Sequence, residues 1–235
     1  MTIKSKIKKA SFHNPAAAMR RHNMRKRLTN TNASFLCPSC IGGTMFHDLG
    51  LQFRSPTINL MFFQPDFVKF ITHYNEYMAK SFEFYDDPEY SCPCAHLGDI
   101  TIHFSHYKTP EQAVEAWNRR AKRVDWSNAF VWCSERDGIT REEIESLAAL
   151  DVRGIAVFTA HDYSDIPYAL QLPGFEHLGR ITNIQDIHYP TEIKNYEGYF
   201  DWVKWFNEAN GAPYDVKTYS LIDKGIWKKW KLVEE

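Results

Sequence analysis

Two rhythms of apolar residues run through most of this chain. Alternation, or a short unbroken apolar run, marks strands, and recurrence every three to four residues marks helices. Residues 34–36 are a short apolar run ending at Cys37-Pro38, and Gly42-Gly43 precede a short helix through Phe46 and Leu49. The run 57–63 (TINLMFF) has strand character. Pro65-Asp66 open a helix predicted to reach about Lys80, with Pro at the first helical position and an acid in the first turn. Phe67, Phe70, Ile71 and Tyr74 fall at helical spacing and read as core. Residues 99–107 alternate, with Ile100, Ile102 and Phe104 on one face and Thr101, His103 and Ser105 on the other. Thr109-Pro110 cap and start the next helix. Residues 129–133 read as a strand, and Thr140 with Glu143 makes a capping box for a helix to about Ala149. Residues 154–160 (GIAVFTA) read as the most buried strand and 168–172 as one more. After Pro173 the pattern weakens, and only 199–206 (YFDWVKWF) looks helical.

Strands alternating with helices imply right-handed crossovers and a largely parallel sheet. The predicted fold is a single α/β domain over residues 34–235, its largely parallel sheet sandwiched by helices. The two ends differ from this body. Residues 1–33 carry Lys4, Lys6, Lys8, Lys9, Arg20, Arg21, Arg25, Lys26 and Arg27, and no acid precedes Asp48. Without apolar periodicity they read as a basic arm, solvated or tethered to anionic lipid at about 1 kcal/mol per cation. On that reading, removal of residues 1–30 leaves the fold intact. Phe12 is too little aromatic surface for a nucleic-acid stacking platform, so nucleic acid is not an expected partner. The C-terminal tail is irregular and aromatic. Trp202, Trp205, Trp227 and Trp230, with Lys224, Lys228, Lys229 and Lys231, could close one side of the sheet, stack on sugars or lie at a membrane interface.

Composition narrows the setting. A chain of 235 residues can bury a real core, and a net charge of -1 argues against a polyanion binder. No apolar run approaches the ~20 residues of a membrane span, and no apolar stretch follows the basic N-terminus as in a signal peptide. Five cysteines, an odd number, then read as reduced thiols in a cytoplasm.

Four groups of residues could carry chemistry. Cys37-x-x-Cys40 and Cys92-x-Cys94, with His96 close by, have the ligand types of a tetrahedral zinc site, although the gap between the pairs is not finger-like. Cys40 precedes Gly42-Gly43 at a helix N-terminus, where free N–H groups would lower a thiol's pKa and form an oxyanion hole. His103 or His106 would be its base and Asp99 the group that orients the base. The two histidines point to opposite faces of a regular strand, so at most one can act. The plain alternative is a small buried cysteine at a tight turn. Arg119, Arg120 and Arg123 could clamp a diphosphate or a sugar acid, or could form a solvated helix face while Trp117, Ala121 and Val124 pack inward. Glu135 and Asp137, after a strand, are spaced as an acid-x-acid pair for a divalent cation, magnesium or manganese, or are a polar turn closed by Gly138. His161-Asp162 would share that rim.

Several blocks, in this order, resemble one family: CPSCIGGTMFHDLGLQFRSPTINLMF, DFVKF, LGDITIHFSHY, AWNRRAKRVDWSN, CSERDGIT and FTAHDY. They span roughly residues 34 to 205, and the chain is similar to the bacterial domain of unknown function 1919 family. The shared features fall on Cys40, Gly42 and Gly43, on Ser55-Pro56-Thr57, on Asp99 to Tyr107, on Trp117, Arg119 and Arg120, and on Asp137-Gly138. Cys37-Pro38-Ser39 depart from the polar residues usual before the matched cysteine. The resemblance implies an α/β fold and a role near exopolysaccharide assembly, and it brings no catalytic residue. The expectation is a cytoplasmic protein, in one version peripheral to the inner face of the membrane. It would act as a glycosyl or acyl transferase on a nucleotide-sugar or phosphorylated sugar. The alternatives are a Cys–His hydrolase or acyltransferase of the same pathway, and a non-catalytic component docked on anionic membrane.

Overall fold

The computed structural model describes residues 14–224. Helix α1 (Pro15–Arg27) is capped by Asn14, whose side chain accepts from the N–H groups of Ala16 and Ala17. Strand β1 (Ser34–Leu36) leads into α2 (Ile41–Leu49), which ends on Gly50 at φ 72°. Helices α3 (Gln64–Thr72) and α4 (Tyr74–Met78) precede three short strands, β2 (Phe82–Tyr85), β3 (Cys94–Leu97) and β4 (Ile100–His103). Helix α5 (Pro110–Ala121) begins where Thr109 accepts from the Gln112 N–H, and β5 (Ala129–Ser134) follows. Thr140 and Glu143 close the predicted capping box on α6 (Arg141–Ser146). Then come β6 (Gly154–Thr159), β7 (Ala169–Gln171), the two-residue strands β8 (Ile187–His188) and β9 (Ile193–Lys194), and helices α7 (Asn195–Tyr199) and α8 (Trp202–Glu208).

The body is an α/β domain on a four-stranded parallel sheet in the order β1-β5-β6-β7. All six residues of both β5 and β6 are buried, which is why these strands read as unbroken apolar runs. Trp202, Trp205 and Phe206 of α8 pack on Phe35 and Phe130 in edge-on ring contacts. A side chain at Gly154 would meet Phe130 and Trp205 at 2.9 Å, so glycine lets α8 close on the sheet. These two tryptophans are therefore core, whereas Trp227 and Trp230 lie outside the described residues.

The structure differs from the periodicity in three places. Residues 57–63 are not a strand: Asn59 turns at φ 66°, and only Met61 pairs, as a bridge to His103. Their apolar character is that of a buried loop, with Ile58, Leu60 and Phe62 at the core. The helix predicted to Lys80 breaks at His73 into α3 and α4. Strand β4 does alternate, but it pairs in a separate antiparallel sheet β2-β3-β4. Alternation reports which face is buried, not which strand lies alongside.

The basic arm is the largest difference. Residues 1–13 lie outside the described region, but from Asn14 onward the segment is a helix docked on the body. Arg20 donates to Asp48 and, at 2.5 Å, to Glu197; Lys194 donates to the same Asp48 oxygen at 2.5 Å. Arg25 reaches the Asp48 carbonyl, Arg21 pairs with Glu192 and Arg27 with Asp201. The arginines among these cations, read as solvated or lipid-facing, instead reach acids and carbonyls far along the chain. Among the described residues no helix is long and apolar enough to cross a membrane.

Arg20 and Lys194 compensate two carboxylates of which Asp48 is only 4% exposed. Burial opposes ionisation of Asp48, but the bonds from Lys194 and Arg20 outweigh it and hold its pKa below the usual carboxylate value. Breaking a buried pair from one side costs about 3–5 kcal/mol. Arg20→Ala should lower stability by that order in urea unfolding, and deletion of residues 1–30 by at least as much. Equal midpoints for wild type and both variants would show the helix to be an ornament on the surface.

Candidate functional site

Backbone bonds outside both main sheets bring two distant segments together. The Phe62 N–H donates to the Pro38 carbonyl at 2.9 Å, and Met61 exchanges two 2.9 Å bonds with His103 at the end of β4. This ladder ties the loop after β1 to the turn after β4. Across it, Cys40 Sγ lies 3.2 Å from His106 Nε2. The thiol is half-buried and the imidazole exposed. Burial pushes the Cys40 thiol above its ordinary pKa, against the expectation for a helix N-terminus. Cys40 therefore rests as a thiol that needs a base, and His106 is the base in reach.

The other members of the expected constellation are elsewhere. Asp99 sits at the opposite end of β4, where Lys69 Nζ and, at 2.6 Å, Tyr77 Oη hold its carboxylate. It cannot orient His106. His103 is 1% exposed, with its ring against Tyr90 at a centroid separation of 4.1 Å. Burial lowers its pKa, despite opposing contributions from the Met61 backbone, Asp87 and Asp66. Gly42 and Gly43 are buried where the chain packs closely. A side chain at Gly42 would meet Cys37 Sγ at 2.6 Å, and one at Gly43 would overlap the Asn59 amide oxygen. Both glycines allow α2 to approach the 57–63 loop.

A cleft of about 190 Å³ opens at the carboxyl ends of β1 and β5; the residues on either side of Cys40 line it, whereas Cys40 and His106 do not. Ser39, Ile41, Gln64, Ser134, Arg136 and Asn183 are among its lining residues. Trp132 also lines it, and its buried indole N–H has no protein partner.

The acid-x-acid pair is taken apart. Glu135 directly follows β5 and is 5% exposed. Its carboxylate accepts from the N–H groups of Ala160 (2.7 Å) and His161 (2.9 Å), from His161 Nδ1 (2.6 Å) and from Tyr163 Oη (2.9 Å). Four protein donors leave no oxygen facing outward for magnesium or manganese. Asp137, at φ 56°, pairs with Arg136 at 3.1 Å in the polar turn. What remains is a Glu135–His161 pair at the carboxyl ends of β5 and β6, with His161 exposed. A histidine just past the most buried strand, opposite an acid just past its neighbour, was the sequence signal for this pair; only their partnership was missed.

The arginine clamp does not form either. Arg120 is 9% exposed and donates to the Ile58 carbonyl (2.7 Å) and to Tyr107 Oη (2.6 Å), over the ring of Phe53. Arg119 pairs with Glu115 on its own helix at 2.8 Å, and Arg123 donates to the Phe53 carbonyl at 3.2 Å. Adjacent helix positions diverge by ~100°, so the three separate to different partners. Trp117 anchors α5 as expected, at 3% exposure.

The zinc set of Cys37, Cys40, Cys92, Cys94 and His96 is also not assembled. Cys37 is buried with its thiol on the Ser39 carbonyl, and burial pushes its pKa up to about 12. His96 is exposed and stacks on Tyr85. Among the described residues, no three of those five side chains bring their ligand atoms within 4.8 Å of one another.

The model of a domain of unknown function, DUF1919, matches residues 12–207, and the chain belongs to that family. The match takes in α1, consistent with that helix being part of the domain. An uncharacterized protein of Haemophilus influenzae (strain ATCC 51907 / DSM 11121 / KW20 / Rd) is 31% identical over 186 residues. That alignment covers 79% of this chain and 89% of the relative.

Two outcomes follow from the site's geometry. Arg120→Ala strands the Ile58 carbonyl and the Tyr107 hydroxyl, so it should cost about 1.5–3 kcal/mol or more of stability, the worth of a charged hydrogen bond. Calorimetry checks this, and an unchanged melting temperature would return Arg120 to the ligand-binding residues. For Glu135, burial favours the acid form, but the His161 and Tyr163 donors and the Ala160 N–H hold its pKa below the usual value. A depressed carboxylate contributes stability above its unfolded pKa and loses it as pH falls through the folded one. The stability gap between wild type and Glu135→Gln should be full above about pH 5 and close in more acid solution. A gap independent of pH would mean Glu135 acts by shape alone.

Proposed function

We propose that this protein is a thiol-dependent acyltransferase or hydrolase acting on a sugar intermediate of bacterial surface polysaccharide. The observation that carries the proposal is the 3.2 Å approach of Cys40 Sγ to His106 Nε2. His106 Nε2 takes the thiol proton as Cys40 Sγ attacks an ester or thioester carbonyl. The leaving oxygen or sulfur departs with that proton, and Cys40 holds the acyl group as a thioester. A sugar hydroxyl, or water, then attacks the thioester with His106 as base, and the proton returns to the departing thiol. Arg136, lining the cleft, would meet a phosphorylated sugar. The pathway rests on the family resemblance. The inward turn of the α1 cations takes support from docking on anionic membrane.

A second reading keeps a nucleotide-sugar transferase, because Glu135 orients His161 at the strand ends where ligands gather in parallel sheets. With Nδ1–H bonded to Glu135, Nε2 is the basic nitrogen and could deprotonate an acceptor hydroxyl.

Intact-mass spectrometry after incubation with p-nitrophenyl acetate separates the two. The first reading expects one acetyl adduct, absent in Cys40→Ser, formed about 100-fold more slowly in His106→Ala and unaffected by His161→Ala. Adduct formation indifferent to His106 would end the thiol mechanism.

A further inference from the structure

A second cluster lies on the antiparallel sheet. In the register of β2-β3-β4, Tyr85 faces Cys94 and Cys94 faces His103. Directly paired residues place their side chains on the same face, with Cβ atoms about 4.5–5.5 Å apart. Asp87, two residues past Tyr85, brings its carboxylate over that face. The ligand atoms of Asp87, Cys94 and His103 all lie within 4.8 Å of one another. Cys94 is fully buried and His103 is 1% exposed. His103 Nδ1 is buried and has no hydrogen-bond partner. A buried ring nitrogen left unpaired is uncommon and calls for a ligand.

The surroundings suit an ion. The Cys94 thiol donates to the Cys92 carbonyl at 3.4 Å, and Cys92 itself is half-buried. Asp87, Tyr90 and Cys92 line a cleft of about 380 Å³, which gives an entry path. The Tyr90 ring covers His103, and Phe63 meets the same imidazole edge-on. Asp87 Oδ1 accepts from the Glu89 N–H at 2.9 Å, a bond that fixes the carboxylate without using its other oxygen.

We propose that Asp87, Cys94 and His103 bind a zinc ion, with Cys92 beside the fourth position. The donor types decide the metal. A thiolate and an imidazole are borderline-soft ligands that select zinc over magnesium or manganese. Bond lengths of about 2.0–2.3 Å put tetrahedral ligand atoms roughly 3.3–3.8 Å apart, so the cluster needs only a small contraction. The site is separate from Cys40 and His106 and does not depend on their role. Strands β3 and β4 and the 86–93 loop share the ion, which would make it a clasp between the small sheet and that loop.

The test uses the full chain, purified under reductant and loaded with zinc or with cobalt as a spectroscopic substitute. The wild type should hold one zinc per chain against a competing chelator. With cobalt it should show a thiolate charge-transfer band and the intense visible bands of tetrahedral geometry. Cys94→Ser and Asp87→Asn should each weaken zinc by more than about 100-fold, since even loss of an outer partner costs 10–100-fold. Asp87 is half-exposed, so Asp87→Asn stays informative if Cys94→Ser fails to fold. His96→Ala, on the same strand, and Cys40→Ser should bind as wild type. Failure of the wild type to bind, absence of the charge-transfer band, or equal affinity in Asp87→Asn and wild type would overturn the proposal.

Discussion

One guanidinium holds both halves of the Cys40–His106 pair in place. Arg120 reaches from α5 to the Ile58 carbonyl and the Tyr107 hydroxyl. Tyr107 is the residue after His106, and Ile58 packs against the position of Gly42, two residues past Cys40. A buried cation that satisfies a carbonyl and a hydroxyl fixes the spacing between the segments that carry them. The aromatic rings of Phe53 and Tyr107 flank the same group and keep water from competing for its donors. The Cys40–His106 pair thus sits on loops but is positioned by a helix, which gives loops the precision that they lack alone.

The basic residues of this chain repeatedly turn out to hold structure together. Arg20, Arg25 and Arg27 pin α1, Arg120 and Arg123 pin the loop before α3, and Arg153 donates to the Ala209 carbonyl and to Asn128 at the edge of the sheet. Guanidinium groups suit this work, because their planar fork can meet several carbonyl oxygens at once. It also explains how loops as long as those around residues 50–63 and 180–195 stay ordered against the core.

How much of this was legible depended on whether the information was local. The parallel sheet was, because β5 and β6 are apolar on both faces and the capping residues Thr109 and Thr140 announce their helices. Cys40 and His106 could each be singled out in the sequence, one at the entry to a helix and the other near the end of an alternating run. The route joining them could not: it runs through Met61 and Pro38, in a loop whose apolar residues imitate a strand. Asp99 and Glu135 were misread for one reason. A carboxylate's role is set by donors far off in sequence, Lys69 and Tyr77 for one, His161 and Tyr163 for the other. The arginine run suffered likewise, since sequence shows the charge but not the carbonyl that meets it.

The order of strands in the parallel sheet has a kinetic side. Strand β1 pairs with β5 although 92 residues separate Leu36 from Ala129, whereas 19 separate Ser134 from Gly154 in the next pairing. Loop-closure entropy grows with the logarithm of length, so the first pairing carries about 1.4 kcal/mol more of it than the second. The excursion between β1 and β5 holds the whole β2-β3-β4 sheet, whose contacts are local and close cheaply. Cys40 lies just past β1 and His106 just past that sheet, so their meeting closes a loop of its own across 66 positions. A local opening that releases β1 would loosen the segment that carries Cys40 while leaving β5, β6 and β7 joined, so the Cys40–His106 contact would be among the first features to weaken.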